Sequence, residues 1–187
     1  MLKLMKKKSL LSITNIIIVI ISLIFVYTWI VRIPLDSMAA YGLNSETYEG
    51  IGIFTSMFLH AGLIHLAFNM YALYDLGNDI ERRISGLKYV GILFLSGLGG
   101  SLMSIPFVMN SNVNVVGFSG AIFGLWAYMS VKDNNLKQFG ILWLVMNVGL
   151  VLLGMPLAWY AHAGGTVVGL LWGLKDTINR YKGSLRY

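Results

Sequence analysis

The chain has 187 residues, of which 57% are hydrophobic and only 12% are charged, whereas soluble domains carry about 25% charged residues. A mean hydropathy of +0.71 excludes an ordinary soluble domain, and the lack of cysteine excludes disulfides, thiol chemistry and cysteine-ligated metal sites. The net charge of +6 could suggest nucleic acid. The basic residues flank apolar segments and do not cover one face, so we expect no nucleic-acid partner.

Apolar segments without charged side chains predict six membrane-spanning helices in an all-α membrane protein. A span needs about 20 apolar residues. The intervals 89–131 and 138–174 contain no Asp, Glu, Lys or Arg, so each can hold two spans joined by a short turn. The predicted spans are Leu10–Val31, Gly62–Ile80, Tyr89–Met109, Ser119–Lys132, Phe139–Leu153 and a sixth that contains His162 and ends near Lys175. We therefore expect residues 1–187 to form a single transmembrane domain with the lipid bilayer as a partner.

The first apolar segment has an alternative interpretation as a signal peptide, because lysines precede it and small residues follow at 37–40. Its apolar run is longer than the 7–15 residues of a signal core, which favours a retained helix. The next segment, Arg32–Leu59, is too long for a tight turn and too apolar for a solvated loop. It predicts an amphipathic structure lying partly in the membrane interface.

The positions of the basic residues predict the orientation. Thirteen of the fourteen Lys and Arg residues fall on one side of the predicted spans, and only Arg32 falls on the other. Cytoplasmic loops carry such an excess of basic residues. We therefore expect a multi-pass protein of the cell membrane with both termini in the cytoplasm.

The fourth span is too short to cross the bilayer. Ser119 lies 13 residues before Lys132, which gives about 20 Å of helix, whereas the hydrocarbon core is about 30 Å thick. The helix should therefore begin within the membrane, after irregular backbone that must be buried in protein or line a cavity. His162 and Asn69 lie the same number of residues before Lys175 and Arg82, so three polar residues are predicted at one depth.

Ser119 and His162 are the candidate nucleophile and base. Gly120 and Gly124 share one helix face beside Ser119, and three glycines follow His162 on one face of the sixth span. Such faces allow close helix approach, which would give the serine the base that it needs. For both residues the alternative is a packing role. No carboxylate within the spans is placed to complete a triad, so the sequence predicts a Ser–His dyad.

His65 and Asn69 lie four residues apart on one face of the second span. Both can donate hydrogen bonds, so beside an attacking serine they would stabilise a developing oxyanion. The alternative is that they only join helices, a use that membrane proteins make of both residue types. Three histidines on two segments make a poor zinc site, and we expect no metal and no cofactor.

Three motifs, HAGLIHLAFN, GFSG and AHAGG, occur in this order on the second, fourth and sixth spans. Together they resemble the motifs of the rhomboid intramembrane serine proteases, and the resemblance covers essentially the whole chain. It implies a six-transmembrane-helix rhomboid-like bundle. It also implies a serine endopeptidase that hydrolyses peptide bonds in or near the transmembrane segments of membrane-protein substrates. Ser119 would be the nucleophile, His162 the base, and His65 and Asn69 the oxyanion donors together with the Ser119 backbone N–H.

The resemblance also implies supporting residues, which are His60, the glycines Gly117 and Gly120 around the serine, and Phe123, whose ring would stack on the base. Glu81 and Arg83 match the E-x-R motif that follows the second helix in the family.

The chain departs from the family at one place and leaves other functions open. Ile51 and Gly52 replace a Trp-Arg pair that many relatives carry, which leaves the anchoring of the first external segment open. One alternative function is a catalytically silent rhomboid-like protein that binds membrane clients, which the retained Ser/His pair disfavours. A small transporter is another, and the lack of a charged relay or an inverted repeat weakens it.

Overall fold

The computed structural model describes residues 12–30, 41–152 and 158–184, and these residues form seven helices without an extended strand. We number them in chain order as α1 Ile13–Ile30, α2 Gly52–Thr55 with a 3-10 turn at Ser56–Phe58, α3 Leu63–Ala72, α4 Gly86–Val108, α5 Ser119–Lys132, α6 Leu136–Leu144 and α7 Trp159–Ser184. Helix α3 continues through a π-helical turn, Leu73–Gly77, into Asn78–Glu81. Helix α6 continues through a second π-helical turn, Val145–Gly149, into Leu150–Leu152.

Six of the seven helices fall on predicted spans, whereas α2 lies within the segment Arg32–Leu59. Helix α5 has both of its predicted bounds. Helix α4 starts at Gly86, before the predicted Tyr89, because Ser85 caps its first turn by accepting a hydrogen bond from the Lys88 N–H. Several features used in the predictions lie outside the described residues. They are the N-terminal lysines, both ends of the first predicted span, Arg32 and the turn expected between the fifth and sixth spans.

One helix in the described part of the chain, α4, is long and apolar enough to cross a membrane by itself. Helix α2 and the α3 run to Glu81 qualify only together, as a pair bent by 85°. The count of six spans therefore stays a prediction.

Helix α5 is the centre of the bundle and packs against α4 and α7. Its contact with α7 is made by the two backbones. A Cβ atom on Gly165 or Gly169 of α7 would collide with the carbonyl groups of Gly120 and Gly124 of α5. Because only glycine lacks a Cβ, the four glycines set how closely the two helices approach.

Asp176 of α7 joins α4, α5 and α7 at the end of the core that lies away from the start of α5. Its carboxylate accepts hydrogen bonds from Lys88 Nζ of α4 at 2.7 Å and from the Tyr128 hydroxyl of α5 at 2.9 Å. Burial alone would raise the pKa of Asp176, but these two donors outweigh it and hold the pKa below its ordinary value. One carboxylate thus ties together all three central helices.

Glu81 joins the end of the α3 run to the start of α1. Its carboxylate accepts hydrogen bonds from the backbone N–H groups of Ile13 at 2.8 Å and Thr14 at 2.9 Å, and from the Thr14 hydroxyl at 2.7 Å. It therefore satisfies N–H groups that a helix start leaves unpaired. Arg83 instead pairs with Asp79 and Asp133, so the two residues of the E-x-R motif have separate structural partners.

The segment before α2 is anchored without the Trp-Arg pair. Leu43 and Val115 form an isolated antiparallel bridge, with N–H···O distances of 3.1 and 2.8 Å. A Cβ on Gly52 would meet the Thr47 side chain, whose hydroxyl donates to the Gly42 carbonyl at 2.5 Å. Tight backbone packing at Gly52 and the bridge to Val115 thus hold this segment beside the approach to α5.

The glycine contact predicts that Gly169→Ala destabilises the fold, because the added methyl group would force α5 and α7 apart. We expect a cost of about 1–3 kcal/mol, as for overpacked cores. The matched control is Gly140→Ala on α6, where a Cβ would meet nothing within 4 Å, and where alanine should stabilise the helix by about 0.5–1 kcal/mol. Thermal unfolding of both variants in one detergent measures the difference. A Gly169→Ala protein that melts at or above the wild-type temperature would contradict the account.

Candidate active site

The backbone before α5 places Ser119 at the first position of that helix. Gly117 has a φ of +126°, in the region that favours glycine, and its N–H donates to the Ser56 carbonyl at 2.9 Å. A Cβ on Gly117 would lie 2.8 Å from Cε1 of the His65 ring. Glycine is therefore required here for its backbone angle and for the space that His65 occupies.

The position of Ser119 at a helix N-terminus gives it a favourable electrostatic setting. The first N–H groups of a helix have no partner within it, and the helix dipole is positive at this end. A negative charge that develops beside the Ser119 backbone N–H would be stabilised by both effects.

Ser119 and His162 are in hydrogen-bond contact, with 2.8 Å between Ser119 Oγ and His162 Nε2. His162 lies in the first turn of α7 and is 8% exposed. The Phe123 ring stacks on the imidazole, with the ring centroids 4.3 Å apart and the planes 20° from parallel. The glycine contact between α5 and α7 holds this pair, because Gly120 follows Ser119 directly and its carbonyl lies against Gly165, one turn after His162.

The other nitrogen of the imidazole meets a residue that the sequence analysis missed. Asn147, in the π-helical turn after α6, has its Oδ1 atom 2.5 Å from His162 Nδ1. Its side chain is 2% exposed, and its Nδ2 atom donates to the Trp143 carbonyl at 2.9 Å. Asn147 carries an amide, so looking for a carboxylate as the third residue does not reveal it. Its signal in the sequence is a single asparagine within an apolar span, four residues after Trp143.

The His65 ring lies close to Gly117, two residues before Ser119. Asn69 is buried on the same helix, and its Nδ2 atom donates to the His65 carbonyl at 3.0 Å. Among the described residues, no hydrogen bond joins either side chain to Ser119. The His60 ring is buried and meets the His65 ring edge-on, with centroids 5.0 Å apart.

The arrangement has the parts needed for nucleophilic catalysis. A serine hydroxyl contacts an imidazole nitrogen that can take its proton, and this serine is the first residue of a helix, whose N-terminus favours negative charge. Within residues 12–30, 41–152 and 158–184, no group of three or more metal-ligating side chains could hold a metal ion.

Comparisons with known proteins agree with these motifs. A family model described as the Rhomboid domain matches residues 47–178. The chain is 34% identical over 145 residues to RHOMBOID-like protein 4 of Arabidopsis thaliana, covering 72% of this chain and 36% of that protein. It is 30% identical over 159 residues to the proteins named rhomboid protease GlpG of Yersinia pestis and Yersinia pseudotuberculosis, covering 76% of this chain and 54% of each.

The chain therefore spans about half of the length of the GlpG proteins and about a third of that of the plant protein. The family match covers all three motifs, from the residues before α2 to the last turns of α7. The chain belongs to the rhomboid family.

Proposed function

We propose that this chain is an intramembrane serine endopeptidase that cleaves peptide bonds in or near the transmembrane segments of membrane proteins. The observation that carries the proposal is the 2.8 Å contact between Ser119 Oγ and His162 Nε2. Membership of a family with relatives named as proteases supports the same reaction class.

The reaction would proceed in two stages. His162 Nε2 takes the proton of Ser119 as Oγ attacks the scissile carbonyl carbon, and the tetrahedral intermediate collapses when the imidazolium protonates the leaving amine. A water molecule, deprotonated by His162, then attacks the acyl carbon, and the second tetrahedral intermediate releases the acid product as the imidazolium protonates Ser119 Oγ. Each proton that the base takes is passed on within the same stage, so no cofactor is required.

The oxyanion of each intermediate would form at the N-terminus of α5. We propose the Ser119 backbone N–H, His65 and Asn69 as its hydrogen-bond donors. Asn69 uses one N–H on the His65 carbonyl, and an amide has two, so a second remains for the oxyanion. His60 would hold the His65 ring from the side, and Phe123 would hold the plane of the His162 ring.

The proposed setting of this chemistry is a single domain of six spans in the cell membrane, with both termini in the cytoplasm. The charge asymmetry of the sequence supports this orientation. The irregular segment at 110–118, which leads into α5, would then open the site to water from the outer side.

The mechanism predicts that Ser119→Ala and His162→Ala each abolish cleavage of a model transmembrane substrate while the protein stays inserted and folded. The double variant should be no worse than either single one, because the two side chains act as a unit. Ser130→Ala is the matched control. Its hydroxyl is buried on the same helix but donates to the Trp126 carbonyl, so we expect cleavage close to wild type. Residual cleavage by purified Ser119→Ala protein would contradict the mechanism, and a wild type that cleaves nothing would favour a silent client-binding protein.

The oxyanion role of Asn69 predicts that Asn69→Ala lowers kcat by up to about 10²–10³-fold, the usual loss when one such donor is removed. Asn78→Ala is the matched control, because its Nδ2 atom likewise donates to a carbonyl four residues earlier but it lies remote from Ser119. That variant should lower the melting temperature and keep kcat. The measurement is kcat beside the melting temperature in one detergent. An unchanged kcat with a lowered melting temperature in Asn69→Ala would remove this residue from the site.

The proposed membrane orientation predicts which positions a membrane-impermeant reagent can label. Single cysteines at the exposed positions Ser45 and Asn112 should react with a membrane-impermeant thiol reagent in intact cells, whereas a cysteine at Asn135 should react only after lysis. Since the sequence contains no cysteine, any labelling of this chain comes from the introduced residue. The reverse pattern would overturn the orientation.

A further inference from the structure

We infer that Asn147 is a positioning residue that holds His162 of the Ser119–His162 dyad in its reactive tautomer. The inference rests on the proposed function for the roles of serine and histidine. It is carried by the 2.5 Å contact between Asn147 Oδ1 and His162 Nδ1, made between two buried side chains.

The orientation of the Asn147 amide follows from its second contact. The carbonyl oxygen of Trp143 can only accept a hydrogen bond, so the atom that faces it at 2.9 Å must be the NH₂ group. The oxygen of the amide is therefore the atom directed at His162. Both ends of the amide are satisfied, as is required of a polar group buried in an apolar bundle.

The amide oxygen in turn fixes the proton on the imidazole. An amide oxygen can only accept, so Nδ1 of a neutral His162 must carry the proton and donate it to Asn147. Nε2 is then unprotonated, and it is the nitrogen that faces the Ser119 hydroxyl. The reverse tautomer would set two lone pairs against each other at Nδ1 and would leave Nε2 unable to take the serine proton. Proteases of unrelated fold use a carboxylate or amide oxygen at this nitrogen for the same purpose.

The π-helical turn helps to place Asn147 at the imidazole. Phe139, Trp143 and Asn147 lie at four-residue intervals, and in a regular α-helix positions eight apart are offset by about 80° around the axis. The wider turn at Val145–Gly149 reduces that offset, so that Asn147 is buried while Val145, Met146 and Val148 on either side of it are exposed. Single π-helical turns in α-helices occur frequently at functional sites.

Few other contacts hold α6 and its continuation to Leu152 against the rest of the bundle. Among the side chains described on α6 and its continuation to Leu152, only those of Phe139 and Asn147 are buried. The Trp143 indole N–H donates to the Thr166 hydroxyl of α7 at 3.0 Å. The contact of Asn147 with His162 is therefore one of the few that join the continuation of α6 to α7.

The test is the protonation of the His162 ring, read by ¹⁵N NMR of histidine-labelled protein in detergent. The chain has three histidines, and loss of signals in His162→Ala identifies those of His162. At a pH well above the ordinary imidazole pKa of about 6.5, wild type should carry the proton on Nδ1 with Nε2 bare. Asn147→Leu, which removes the acceptor at similar volume, should move the proton toward Nε2.

The kinetic counterpart is a fall in kcat with little change in KM, because Asn147 is buried and would act through His162. A general base contributes about 10²–10⁴-fold, and partial loss of its correct tautomer should cost roughly 10–100-fold in kcat. Met146→Ala is the matched control, since its side chain is exposed in the same π-helical turn, and it should leave both tautomer and kcat unchanged. If the role of Asn147 were purely structural, Asn147→Leu would lower the melting temperature and leave the His162 tautomer unchanged.

Asn147→Asp decides the matter if the leucine variant does not fold, because a carboxylate keeps an acceptor at Nδ1. We expect it to keep the proton on Nδ1 and to retain more activity than Asn147→Leu. A wild-type ring protonated on Nε2, or a proton that stays on Nδ1 with unchanged kcat in Asn147→Leu, would overturn the inference. A His162 ring protonated on Nε2 in the Asn147→Asp variant would also overturn the inference. The NMR result stands even if wild type cleaves nothing, so a failure of this inference is distinguishable from a failure of the proposed function.

Discussion

Helices α5 and α7 meet backbone to backbone, since the positions that face each other are Gly120 and Gly124 on one helix and Gly165 and Gly169 on the other. In lipid there is no hydrophobic driving force between helices, so close packing of this kind carries much of their association. The same contact sets the distance between Ser119 and His162. Ser119 stands immediately before the first of these glycines, so any side chain larger than hydrogen in the contact would separate the Ser119 hydroxyl from the His162 ring as it separated the helices.

Several polar groups inside the bundle satisfy one another, and the candidate site is one of these arrangements. An unsatisfied polar group in an apolar interior is costly, yet His162 uses both ring nitrogens, one on Ser119 and one on Asn147. The Phe123 ring fixes the plane of the imidazole. These contacts hold the Ser119 hydroxyl and the His162 ring in place, which is the preorganisation that the proposed mechanism requires.

The parts of the fold that depend on charge and small residues could be predicted from sequence. The bounds of α5 follow from the glycine before Ser119 and from Lys132, and the glycine stripes indicate which helices touch. Asn147 could not be predicted, because an isolated amide in an apolar span is equally typical of helix packing, and a π-helical turn leaves no periodicity that a short segment reveals. Contacts made by backbone atoms, such as the bridge between Leu43 and Val115, carry no side-chain signal. The partner of Glu81 is likewise a set of backbone N–H groups more than 60 residues away.

The central claim is that Ser119 is a nucleophile activated by His162, and covalent labelling tests it most directly. Purified protein in detergent would be treated with a fluorophosphonate, digested and mapped by mass spectrometry, with the His162→Ala variant alongside it. The account predicts one phosphonylated residue, Ser119, in wild type and a strongly reduced yield in His162→Ala. Labelling at another serine, no labelling of wild type, or equal labelling of the two proteins would contradict it.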